Sequence, residues 1–115
     1  MRVIRQKVLR KDGGIAMEFN IPKKLKVGSV DYEVKIVERC GDDDFGLFKC
    51  CQSVIEISNK AGGYEVPKSR QQQTFFHELT HAILFTMRKD DLNNDESFVN
   101  TFSSFLTEAI NTIEE

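Results

Sequence analysis

The chain has 115 residues, of which 40% are hydrophobic and 30% charged, with a net charge of −2. That is the composition of one globular domain spanning residues 1–115, and it excludes a disordered tail or a fibrous chain. The longest apolar run is Ala82–Phe85, far short of the roughly 20 residues of a membrane helix, and the basic residues of Met1–Lys7 have no apolar stretch behind them. No membrane segment and no signal peptide are expected, and the location is expected to be cytoplasmic.

The charge is unevenly spread. Residues 1–39 hold ten Lys/Arg against five Asp/Glu, and residues 40–115 hold six against thirteen. The basic residues of the first part alternate with Val and Ile and show no aromatic stacking pattern. This favours a solvated strand face over a nucleic-acid partner.

In chain order, the first 66 residues read mostly as strands. Val3–Leu9 and Ile15–Phe19 flank the turn signal Asp12-Gly13-Gly14, which predicts a hairpin. Leu25–Val27 and Val30–Glu38 flank Gly28-Ser29, a second hairpin. Tyr32, Val34 and Ile36 alternate with Glu33 and Lys35, the period of a half-buried strand. Gly41–Asp44 is an acidic loop without the ligand spacing of a calcium site. Phe45–Cys51 and Ser53–Ser58 are two further expected strands. The second has Ser53, Ile55 and Ile57 on one face and is equally a candidate edge strand for pairing with an extended peptide or a plain strand of the sheet. Ala61-Gly62-Gly63 ends the strand pattern. Cys40, Cys50 and Cys51 are odd in number and lack C-x-x-C spacing, so they are expected to be reduced thiols.

The remainder reads as two helices. Ser69 with Gln72, just after Pro67, has the spacing of a capping box, and the helix is expected to reach about Arg88. Asp90–Asn94 is a polar turn. The second helix begins near Asp95, with Phe98, Phe102, Phe105, Leu106, Ala109, Ile110 and Ile113 as its core-facing stripe. Strands first and helices last make an α+β domain: a small, twisted, mostly antiparallel sheet with the first helix packed on it and the second helix packed behind.

The chemistry lies in His77-Glu78-Leu79-Thr80-His81, in the middle of the first helix. Residues four apart stand one above the other on a helix, so both imidazoles can reach one zinc ion from a rigid platform. Glu78 is turned about 100° from His77. That places its carboxylate beside the metal as a general base. A chain of this composition, shuffled, shows the pattern about once in several hundred trials, so chance is a poor account of it. Leu79, Ala82, Ile83 and Leu84 surround the motif, and polar groups among such residues need strong partners.

Catalytic zinc takes three protein ligands. The chain has only two histidines, so the third ligand is expected to be a carboxylate or a thiolate. Glu96 is the first candidate, at the start of the second helix beside Val99 and Ser103. Asp95 is the alternative, although a helix start also favours Asp as a cap. Tyr64 and Arg70 are candidate donors to an oxyanion.

The stretch Thr74–Leu84 together with Glu96–Ser103 resembles the small gluzincin-type zinc metallopeptidases. In particular it resembles the ImmA/IrrE-like peptidases and the short H-E-x-x-H proteins of phages and prophages. Glu96-Ser97-Phe98-Val99-Asn100-Thr101-Phe102-Ser103 is similar to the family's Glu-x-x-Ala-Asn-x-Phe-Ala, with Val99 and Ser103 in place of the alanines. The resemblance implies a minimal zincin-like fold, Glu96 as third zinc ligand, Glu78 as catalytic base, and hydrolysis of a cytoplasmic protein or peptide substrate by a phage- or prophage-encoded enzyme. The alternatives are a zinc-stabilised interaction module without catalysis and a nucleic-acid-associated module.

Overall fold

The computed structural model describes residues 5–9, 15–40 and 44–113. Strand β1 (Arg5–Leu9) pairs antiparallel with β2 (Ile15–Phe19), in the register Leu9↔Ile15. The expected hairpin partners are therefore present, and the turn assigned to Asp12-Gly13-Gly14 lies outside the described residues.

A four-stranded mixed sheet follows, in the order β3 (Lys24–Val27), β4 (Val30–Val37), β6 (Val54–Ser58), β5 (Gly46–Lys49). The β3–β4 hairpin closes at Val27↔Val30, with Gly28 at φ +62° in the turn. Glycine has two reasons to stand there. It reaches the left-handed region without penalty, and a Cβ would lie 2.9 Å from Thr86 Cγ2 of the first helix. β4 and β6 are parallel, and β5 returns antiparallel beside β6. Two of the three ladders are thus antiparallel, and the fold is α+β.

Helix α1 (Lys68–Thr86) lies against β3, β5 and β6 and also against α3 (Glu96–Asn111). Between them stands a single helical turn, α2 (Asp90–Asn93). Val27, Tyr32, Val34, Ile55 and Ile57 of the sheet and Phe75, Phe76 and Ala82 of α1 form the core. Phe19, at the end of β2, packs on Phe75 and Phe76 with ring centroids 5.8 and 5.0 Å away. This joins the first hairpin to α1. Among the described residues no helix is long and apolar enough to cross a membrane.

Several local expectations are corrected. Ser53–Ser58 is not an edge strand: β6 lies inside the sheet between β4 and β5, and the edges are β3 and β5. Ser53 is not in the strand either. It is left-handed at φ 54° and closes a 3-10 turn, Cys50–Gln52, which takes Cys50 and Cys51 out of β5. Ala61-Gly62-Gly63 does not end the strands. β7 (Lys60–Ala61) and β8 (Tyr64–Glu65) form a tight hairpin through Gly62 and Gly63, both at positive φ. No capping box forms. Pro67 precedes the helix at φ −57° and accepts at its carbonyl from the N–H groups of Arg70 and Gln71. Gln72 instead donates to Asn111 Oδ1 of α3, at 2.7 Å.

Helix α1 ends about where expected, at Thr86 with Met87 as its cap. Arg88 turns left-handed at φ 58°, Lys89 N–H donates to the Leu84 carbonyl and Arg88 N–H to that of Phe85. This is a Schellman termination with Arg88 where glycine is usual. The buried line of α3 is Val99 and Ser103, continued by half-buried Leu106 and Ile110; Phe102, Phe105, Ala109 and Ile113 of the expected stripe are exposed. The helix has two overlapping apolar lines. Close approach to α1 selects the one with the smaller side chains.

Candidate metal centre

Helix α1 places His77 and His81 one turn apart, with ring centroids 5.0 Å from each other. Their rings are partly covered, with side-chain exposures of 23% and 17%. Leu84, Lys89 and the left-handed Arg88 reverse the chain after α1, and α2 carries it back to the start of α3. There Asp95 caps α3, accepting the Phe98 N–H at Oδ1 over 3.1 Å. The cap commits the Asp95 carboxylate to the helix end and turns the next residue toward α1. Glu96 Oε1 lies 3.3 Å from His81 Nε2, and Glu96 Oε2 lies 3.6 Å from His77 Nε2. The structure therefore brings Glu96, and not Asp95, to the histidines. Ligand atoms of His77, His81 and Glu96 all lie within 4.8 Å of one another, a group that can hold a metal ion.

The imidazoles are prepared for that task. His81 Nδ1 stands 2.6 Å from Asn93 Oδ1, which can only accept, so the Nδ1–H donates there and Nε2 is the nitrogen turned toward Glu96. Such an outer hydrogen bond fixes the tautomer and the ring of a metal-binding histidine. Sequence reasoning missed Asn93. Its only signal was its place in the polar turn before the second helix. Burial and the neighbouring His81 hold the His77 pKa below its ordinary 6.5, against the opposing pull of Glu96. A neutral imidazole is the form that ligates.

Glu78 stands beside His77. It is 8% exposed, and its Oε2 lies 4.0 Å from His77 Nε2. Burial raises its pKa from 4.5 to about 7, with Glu96 and Asp44 adding to the effect and His81 opposing it. The carboxyl can thus gain and lose a proton near neutrality, the property wanted of a general acid–base. Edge strand β5 covers it closely. A Cβ on Gly46 would collide with Thr74 Cγ2 and come within 3.0 Å of Glu78 Cγ. Gly46 is a second residue missed at the sequence level, because a glycine needed for close approach looks like any loop glycine.

A cleft of about 340 Å³ opens beside the centre. Phe45 and Gly46 form one wall, Arg70, Gln73, His77 and Glu78 of α1 its floor, and Asn100 and Ser104 of α3 the other wall. Arg70 is in this cleft, with its guanidinium 5.2 Å above the Phe45 ring. It stands two helical turns before His77, about 10 Å along the axis, and helix side chains lean toward the N-terminus. Arg70 therefore belongs to the far end of the cleft. Tyr64 is 80% exposed on the β7–β8 hairpin and does not line it. Comparison with known proteins adds no relative: no family model, curated protein or solved structure matches the chain.

Proposed function

We propose that this protein is a zinc-dependent peptidase acting on a protein or peptide substrate, with His77, His81 and Glu96 as metal ligands and Glu78 as general acid–base. The observation that carries the reading is the convergence of three ligand atoms within 4.8 Å, with a buried carboxyl beside them. The donor set fits zinc. Tetrahedral ligands at about 2.0–2.1 Å stand about 3.3 Å apart. Glu96 Oε1 stands 3.3 Å from His81 Nε2 and its other oxygen, Oε2, 3.6 Å from His77 Nε2, with one ligand atom per residue all within 4.8 Å, so a small turn of the carboxylate lets one oxygen serve both imidazoles. Two imidazoles and a carboxylate also match the three-ligand pattern of catalytic zinc, which keeps a fourth position open.

When bound, zinc supplies Lewis acidity toward a scissile carbonyl and acidifies water. The chain's own groups do the rest. Glu78 takes up at its carboxylate the proton released as water adds to the carbonyl, and returns it to the leaving amine. Asn93 keeps His81 in its working tautomer. Among the described residues strand β5 is a sheet edge next to the cleft, so an extended peptide segment can lie along Gly46–Lys49.

The test is metal analysis of the purified protein beside Glu78→Gln, with cleavage read on a proteome-derived peptide library. The expected result is equal zinc content, with cleavage by the parent protein only. Cleavage retained in Glu78→Gln, or no zinc uptake by the parent, overturns the reading.

A further inference from the structure

A second cluster of metal-binding atoms lies at the far end of the β5 edge, and the proposed peptidase chemistry makes no use of it. Cys50 and Cys51 occupy the 3-10 turn between β5 and β6. In an extended strand adjacent side chains point to opposite faces. Here the chain leaves the strand at Lys49, makes one tight turn, and re-enters β6 through the left-handed Ser53. The turn folds both thiols to one side, with Sγ···Sγ 3.8 Å. Cys51 is exposed and Cys50 half-buried, so both are reachable from solvent. Cys40 is fully buried, and its backbone forms an isolated β-bridge with Asp44.

We infer that Cys50 and Cys51 form a two-thiolate binding site for a soft, thiophilic metal ion, separate from the His77–His81–Glu96 centre. The geometry carries the inference. Two sulfurs at the zinc–thiolate length of about 2.3 Å and a tetrahedral angle stand about 3.8 Å apart, and a larger soft ion needs roughly a few tenths of an ångström more. The thiols already stand close to that separation, so such an ion can bridge them by side-chain adjustment alone. Sulfur selects soft ions, whereas imidazole and carboxylate select borderline and harder ones. The two sites therefore differ in preference. Binding converts two thiols and a divalent ion into a dithiolate complex and releases two protons. The remaining positions on the ion face solvent and accept water or a small thiol.

Cadmium(II) is the probe, added to the reduced 115-residue chain under argon. Thiolate–cadmium bonds give an ultraviolet charge-transfer band that the histidine–carboxylate centre does not produce. The expected result is a band that saturates at one cadmium per chain and persists in His77→Ala. Cys50→Ser and Cys51→Ser should each weaken cadmium binding at least tenfold. Bound cadmium should also protect two thiols from iodoacetamide, mapped by mass spectrometry to Cys50 and Cys51. No thiolate band, a band of unchanged affinity in either serine variant, or equal alkylation with and without cadmium overturns the proposal.

Discussion

Replacing Glu78 by glutamine tests the environment of the buried carboxyl without any assumption about substrate. In the unfolded chain its pKa is the ordinary 4.5, and in the folded protein burial lifts it to about 7. Below pH 4.5 the group is protonated in both states and costs the fold nothing. Between 4.5 and 7 the unfolded chain ionises first, so the folded state progressively loses stability. Above 7 the full penalty applies, and the gap corresponds to about 3 kcal/mol. The Glu78→Gln change keeps the shape of the side chain and removes its charge. The metal-free variant should therefore be more stable than the metal-free parent at pH 8 by up to about 3 kcal/mol, roughly 10 °C in midpoint. At pH 4 the two should unfold together. Urea or thermal unfolding of the chelated proteins at both pH values reads the difference. An equal difference at pH 4 and pH 8, or a parent more stable than the variant at pH 8, would show that the Glu78 carboxylate is well solvated or well paired, and the burial argument would be wrong.

Three further outcomes follow from the site. Asn93→Ala should leave the fold intact and lower metal affinity roughly 10- to 100-fold in chelator competition, because His81 loses the partner that fixes its Nε2; unchanged affinity would remove Asn93 from the centre. Glu96→Ala should strip the metal, whereas Asp95→Ala should cost about 1 kcal/mol of helix capping and leave the metal bound. The reverse result would mean that the start of α3 is wrongly placed against α1. Gly46→Ala should destabilise the protein by about 1–3 kcal/mol through overcrowding against Thr74 and Glu78, read by urea unfolding. A neutral effect would show that β5 does not press on α1.

The local chemistry of this protein is legible in its sequence because it depends on helical and strand periods alone. The four-residue spacing puts His77 and His81 on one face of any helix, and the alternation at Tyr32–Ile36 specifies a strand. Asp95 has the residue type and place of a cap, but the choice between it and Glu96 stays open until the Asp95 carboxylate is seen to accept from Phe98 N–H and Glu96 to face the histidines. What the sequence leaves open depends on which elements meet. Ser53–Ser58 has the pattern of a strand, but only pairing on both sides, with β4 and β5, makes it interior and leaves the edge to Gly46–Lys49. Ser69 and Gln72 have the spacing of a cap, yet Gln72 finds a stronger partner 39 residues away on α3. Helix α3 carries two apolar lines, and the distance to α1 decides that Val99 and Ser103 go inside while Phe102 and Phe105 stay out. Asn93, Gly46 and the raised pKa of Glu78 belong to the same class. Each arises where segments distant in sequence come within van der Waals or hydrogen-bond reach, a relation that no local period encodes.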